Sequence, residues 1–109
     1  MLFICTEDFF ETARKKHRLT RSEEIKLAEE MRNGCAEARQ AIIESYLPFV
    51  AGYILRAPAT VHTLDTVYRC IDSLEKGVDT FPFRQDGETF LHHLSWRMRQ
   101  CITACIANR

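Results

Sequence analysis

Between Thr63 and Asp79 the sequence TLDTVYRCIDSLEKGVD places Leu64, Val67, Ile71, Leu74 and Val78 at alternating spacings of three and four. That is the period of an α-helix with one apolar face; a strand cannot use it, because its side chains alternate every second residue. Asp65, Arg69, Asp72 and Lys76 fall away from that face. Such a helix holds its shape mainly by burying its stripe against other elements. The rest of the chain must therefore supply matching apolar surfaces.

It does so with further helical segments. LTRSEEIKLAEEMRNG at 19–34 carries both a start and a stop signal. Thr20 and Glu23 have the spacing of a capping box, in which each side chain satisfies a backbone donor near the other. Ile25, Leu27, Ala28 and Met31 form one apolar face, and Asn33-Gly34 ends the helix, since glycine accepts the left-handed conformation of a C-terminal cap. Upstream, TEDFFETARKK at 6–16 predicts a first helix capped by Thr6, with Phe9, Phe10 and Ala13 as its stripe. Its acids come early and its bases late, as the helix dipole favours. The basic run ARKKHR at 13–18 fits either a solvated helix end or a contact to phosphate or an acidic partner. AEARQAIIESYLPFVAGYILR at 36–56 repeats Ala38, Ala41, Ile42, Tyr46, Phe49 and Val50 at helical spacing. Pro48 bends this stretch or starts a new helix, because proline has no amide donor. APATVH at 57–62 is a break, TFPFRQDGET at 80–89 a loop with two aromatics, and a last helix runs from about Phe90 to Ala107.

The pattern predicts an all-α fold: a compact bundle of about four to six helices in a single domain over residues 1–109. A hydrophobic content of 46% is enough for a core, and only 4 Gly and 3 Pro argue against a turn-rich β fold. No run approaches the ~18 apolar residues of a membrane span. MLFIC is too short, and lacks the basic start, for a signal peptide. The expectation is a cytoplasmic protein with no membrane partner.

The 5 cysteines have no framework spacing and are expected to be reduced, buried thiols. Cys101 and Cys105 share a helix face, but no CxxC pair or histidine partner completes a tetrahedral site. His92 and His93 are adjacent, so they point ~100° apart on a helix and make a poor metal pair. Neither a glycine-rich phosphate loop, nor a nucleophile triad, nor an acid pair is present. No enzyme activity, metal or cofactor is therefore expected. Formal net charge is zero, which is not the global signature of a nucleic-acid binder. The charge is uneven, however: the last stretch sets Arg84, Arg97, Arg99 and Arg109 against Asp86 and Glu88 alone.

The closing segment FLHHLSWRMRQCITACIANR has two faces. Phe90, Leu94, Met98, Cys101 and Cys105 fall on one side, the expected core face. His92, Trp96, Arg99, Gln100 and Thr103 fall on the other, flanked by His93 and Arg97. An indole can stack on an unpaired base, glutamine can bond an adenine edge, and arginine can bond guanine or phosphate. From the helix alone two readings stay open: a nucleic-acid surface, or a tryptophan packed on a neighbouring helix with solvated polar residues around it.

Taken in order, these segments resemble bacterial RNA polymerase sigma factors. HRLTRSEEIKLAEEMRNGCAEARQAIIESYLPFVAGYILR at 17–56 is similar to the helix before, and the first helices of, the family's second conserved region. LDTVYRCIDSLEKGVDTF at 64–81 resembles the polymerase-binding helix. FLHHLSWRMRQCITACI at 90–106 resembles the helix that captures the promoter −10 element. The resemblance covers nearly the whole chain. About 6–34 correspond to the preceding helices, and 35–109 to the core-binding and −10-recognition part.

The resemblance implies a helical bundle that docks on the clamp of the polymerase largest subunit. It also implies that the bundle holds the −10 non-template strand single-stranded, with flipped bases in aromatic and polar pockets. By position, Trp96 matches the tryptophan beside the melted base pair and Gln100 the residue that reads the upstream edge of the element. Arg99 matches a phosphate contact and Phe90 the phenylalanine that opens the helix. His92, His93 and Arg97 complete the implied DNA-binding set. Asp65 matches an acidic contact to the clamp, with Tyr68, Arg69 and Asp72 beside it as implied polymerase-binding residues. Family members usually have tyrosine at the position of His93 and often a second tryptophan at that of Arg97. The loop QDGETF lacks the bases expected there. Complete sigma factors continue into domains for the extended −10 and −35 elements, whereas this sequence stops at Arg109. The expectation is a split or auxiliary sigma subunit that works with a second sigma subunit. The alternative is a sigma-derived interaction module that binds a sigma factor, an anti-sigma factor or polymerase without touching DNA.

Overall fold

The computed structural model describes residues 3–84 and 86–107. Gln85, within the predicted loop, and Arg109, counted in the basic balance, lie outside the described residues. The described residues form six α-helices: α1 (Thr6–Arg14), α2 (Arg21–Arg32), α3 (Ala36–Ser45), α4 (Leu47–Arg56), α5 (Leu64–Thr80) and α6 (Phe90–Ala107). A single 3-10 turn, Ala59–Val61, links α4 to α5. No strand occurs among the described residues, so the all-α expectation holds. None of the helices is long and apolar enough to cross a membrane.

Local signals set most of the boundaries. At the start of α2, Thr20 Oγ1 accepts from the Glu23 amide at 3.2 Å while Glu23 Oε1 accepts from the Thr20 amide at 2.8 Å. This is the predicted capping box, and hydrogen bonds to the Glu23 carboxyl from the Thr20 amide first, and from the Thr20 side chain second, hold it below its usual range. At the other end Gly34 has φ +94°, its amide bonds Met31 O at 2.9 Å, and the Cys35 amide bonds Glu30 O at 3.0 Å. Together these close a Schellman motif that only glycine enters without strain. Pro48 sits in the first turn of α4, where no amide is needed, so it starts a new helix rather than bending an old one. Thr63 caps α5 by accepting from the Thr66 amide.

The predicted cap of α1 is wrong. Cys5 occupies the cap position, and Thr6 is the first helical residue. No side chain caps the helix; Asp8 Oδ2 instead accepts from the amide of Ile4, the residue before the cap, at 3.1 Å. The basic run after α1 is largely exposed. Its Lys16 pairs with Glu44 of α3 at 2.8 Å, so part of the run is internal bracing.

One buried cluster joins all six helices. Phe9 comes from α1, Ala28 from α2, Ile42 and Ile43 from α3, and Leu47, Val50 and Ile54 from α4. The α5 stripe supplies Val67, Leu74 and Val78, fully buried, with Ile71 at 5% exposure, as its spacing predicts. Its outermost member, Leu64, lies half-buried at the edge. The radius of gyration is 13.9 Å, close to the ~13 Å of a single compact domain of this size. α5 and α6 pack along each other, and α2 packs on α3. Arg39 grips Asp79 with two bonds, 2.7 and 3.0 Å, and fixes α3 to the end of α5.

Glu24 of α2 is buried at 7% exposure, uncommon for a carboxylate. Its Oε2 accepts from the Tyr46 hydroxyl at 2.6 Å, which ties α2 to the α3–α4 junction. Burial raises the Glu24 carboxyl above its ordinary 4.5, and the Tyr46 bond and the charges of Arg18 and Arg21 offset part of that rise. A raised folded-state value means that the stabilising contribution is complete below 4.5 and is lost as pH rises through the folded value. Glu24→Gln keeps an acceptor for Tyr46 and removes this titration. In urea denaturation, the stability of the native protein relative to Glu24→Gln should fall between acid and neutral pH. A difference that stays constant with pH would contradict the burial of Glu24.

Candidate nucleic-acid interface

The site is built on α6, whose first turn is set by the loop before it. Thr89 Oγ1 accepts from the His92 amide at 3.2 Å. The loop is held from α2: Arg21 Nε and Nη2 donate to Arg84 O at 3.2 and 3.0 Å, and Nη2 also donates to Gly87 O at 3.1 Å. Phe83 folds back into the core and Phe81 half-buries beside it. Both rings lie 5.3 Å from that of Phe90, and Tyr46 meets Phe90 edge-on at 4.9 Å.

Phe90 therefore departs from the DNA-binding set. At 2% exposure it is the anchor of α6, enclosed by aromatics, and offers no surface to a ligand. The rest of the inward face is Leu94, Met98, Ile102 and Cys105. Cys101 lies at the rim rather than in the stripe; with Cys5 exposed and Cys35 half-buried, the expected burial of the cysteines holds only for Cys70 and Cys105. Ile102, four residues after Met98, completes the face; the i+4 spacing was the available signal.

The outward face emerges as the helical spacing predicts. His92, Trp96, Arg99, Gln100 and Thr103 are exposed. Trp96 is 50% exposed, so it is not a core residue packed under a neighbouring helix. The His93 ring stacks beside it, with centroids 6.3 Å apart and planes 29° apart. Phe81 backs His93 at 5.3 Å. A row of rings thus runs from buried Phe90 through Phe81 and His93 to the open indole. Trp96 and Gln100 also border a shallow hollow completed by Ser73, Arg97 and Cys101.

Arg97 needs a correction too. Its Nε donates to Ser73 O at 3.0 Å and to Ser73 Oγ at 3.3 Å, so the side chain lies back across α5. It crosses directly over Gly77, where an added Cβ would meet Arg97 Cδ at 3.1 Å. Arg97 is a strut under the site, and Arg99 is the outward arginine. The available signal for Gly77 was an isolated glycine within a helical pattern, which costs about 1 kcal/mol against alanine and so can point to a packing reason. Ser73 gave no comparable signal.

Electrostatically the face is mixed. His92 Nε2 lies 3.6 Å from Glu88 Oε1, an ion pair when the imidazole is protonated. Asp86 and Glu88 line the hollow next to His93. The implied polymerase-binding residues lie on α5. Asp65 bonds Arg69 at 2.9 Å and Asp72 bonds Lys76 at 3.0 Å, both exposed pairs one helical turn apart. Such pairs contribute little to stability and are open to exchange with a partner. Tyr68 differs: its hydroxyl accepts from the Phe3 amide at 2.8 Å and donates to Phe3 O at 3.2 Å. It clamps the N-terminal segment and is not a free contact. No protein-family model matches the chain, and no curated protein matches it either.

The two faces predict opposite responses to truncation. Phe90→Ala removes a buried ring and should cost about 3–5 kcal/mol of unfolding free energy. Trp96→Ala removes a half-exposed one and should change stability by less than about 1 kcal/mol. Urea denaturation followed by circular dichroism checks both; comparable losses would mean that Trp96 is part of the core.

Proposed function

We propose that this chain is a sigma-like transcription initiation subunit that binds RNA polymerase core through α5 and holds the melted −10 non-template strand on the outer face of α6. The observation that carries this reading is the division of α6. One side is locked into the core, while the other presents Trp96, stacked on His93, with Gln100 and Arg99 alongside. A rigid, half-exposed indole is a stacking platform for an unpaired base, worth roughly 1–3 kcal/mol per base. Gln100 borders the same hollow and can bond the edge of an adenine. Arg99 supplies a phosphate contact, which positions a strand without reading it. The order of segments, matching the resemblance described above, supports the same assignment. Asp65, Arg69 and Asp72 form the polymerase-facing set, without Tyr68.

A second reading is favoured by the charge. Asp86 and Glu88 stand at the edge of the candidate face, and the chain has no net charge. A sigma-derived module that binds a sigma factor, an anti-sigma factor or polymerase, without DNA, would tolerate both features.

Anisotropy of a labelled, A/T-rich single strand separates the two. On the first reading binding weakens with salt, Trp96→Ala lowers affinity roughly 10-fold or more, and Gln100→Ala relaxes base preference. Polymerase core subunits should also be retained on the tagged protein. Retention of a sigma or anti-sigma factor, with no strand binding at low salt, would replace the first reading with the second.

A further inference from the structure

Beneath the outer face of α6 lies a pair of thiols from two helices. Cys70 of α5 is fully buried, and its Sγ lies 3.6 Å from Sγ of Cys101 on α6. Cys101 is partly exposed and lines the hollow shared by Trp96, Gln100, Arg97 and Ser73. The two sulfurs are already at van der Waals separation, and a disulfide requires them to close to about 2.05 Å. The helices that carry them pack along each other. Cys105, buried on the next turn of α6, lies near enough to bond Cys101.

The pair is asymmetric. Hydrogen bonding from Cys70 is the largest influence lowering the Cys101 thiol below its ordinary range, with the Arg69 charge adding to it. The Cys70 thiol is raised, first by its bond to Cys101 and then by burial. The open sulfur is therefore the one that favours the thiolate, the form that attacks an oxidant.

We propose that Cys101 and Cys70 form a peroxide-responsive pair, in which Cys101 meets the oxidant through the hollow beside Trp96 and Cys70 resolves it into a disulfide that ties α5 to α6. This does not depend on the nucleic-acid reading. In the first step the Cys101 thiolate attacks one oxygen of hydrogen peroxide. A sulfur–oxygen bond forms, the oxygen–oxygen bond breaks, and hydroxide leaves and takes up a proton as water. Cys101 is then a sulfenic acid. In the second step the Cys70 sulfur attacks Cys101 sulfur. The sulfur–sulfur bond forms, the sulfur–oxygen bond breaks, and the hydroxyl departs with the Cys70 proton as a second water. Two thiols lose two electrons, and one peroxide gains them.

The test is equimolar hydrogen peroxide on the full chain, alkylation of the remaining thiols, and non-reducing peptide mapping by mass spectrometry. Trypsin releases Cys70 after Arg69 but leaves Cys101 and Cys105 on one peptide after Arg99, so fragmentation between them assigns the bond. The expected product is a Cys70–Cys101 link, lost on treatment with dithiothreitol. In parallel, Cys70→Ala treated with peroxide and dimedone should carry the dimedone adduct at Cys101. If that variant does not fold by circular dichroism, the map of the native chain decides alone. A link through Cys105, crosslinks between chains through Cys5 or Cys35, or Cys101 driven to sulfinic acid with Cys70 still a free thiol would each overturn the proposal.

Discussion

The crossing of α5 and α6 at Gly77 is the constraint on which the rest of the structure depends. Phe90 Cε1 and the Arg97 side chain come within 3.1–3.4 Å of where a Cβ would stand on Gly77. A Cβ there would touch the Phe90 ring at ordinary contact distance, but it would press on the hydrogen-bonded Arg97 side chain, which would have to shift. That closeness lets Arg97 reach Ser73 and lets Phe90 enter the aromatic cluster of Tyr46, Phe81 and Phe83. With both fixed, the rotation of α6 about its axis is fixed, and so is the side on which Trp96 emerges.

From that crossing the site follows outward. Tyr46 joins Phe90 to the buried Glu24, so the capped α2 bears on the start of α6. The clasp of Arg21 on the carbonyls of Arg84 and Gly87 holds the preceding loop. The loop's Phe81 in turn supports His93, and His93 supports the indole. A stacking platform works best when its ring is immobile before the ligand arrives, since less entropy is then lost on binding. Each support of Trp96 is a packed ring, a backbone-directed hydrogen bond or the buried Tyr46–Glu24 bond, not a long exposed ion pair.

Much of this was legible in the sequence. The period of Leu64, Val67, Ile71, Leu74 and Val78 located the face of α5, the Thr20–Glu23 box and Gly34 bounded α2, and Pro48 divided α3 from α4. Helical angles alone separated Trp96, Arg99 and Gln100 from Leu94 and Met98. What sequence reasoning missed are contacts between segments distant in the chain. Arg97 looks outward on a helical wheel, but its long stem turns back to Ser73, 24 residues away. Tyr68 looks available until Phe3, 65 residues away, takes both hydrogen-bonding roles of its hydroxyl. Glu24, outside the predicted apolar face of α2, is reached by the Tyr46 hydroxyl. Phe90 sat on the predicted core face, yet its place in the resemblance put it among DNA contacts; the packing decides for the core. Propensity and periodicity describe one helix at a time, and these residues are decided by pairs of helices.

Trp96 is the only tryptophan in the chain, so intrinsic fluorescence reports directly on the central claim that α6 holds an open indole on a rigid frame. The decisive measurement is acrylamide quenching of the native protein against the urea-unfolded chain. A half-exposed Trp96 predicts red-shifted native emission and a quenching constant a substantial fraction of the unfolded one. Blue-shifted emission with little native quenching would place Trp96 inside the fold and contradict the account.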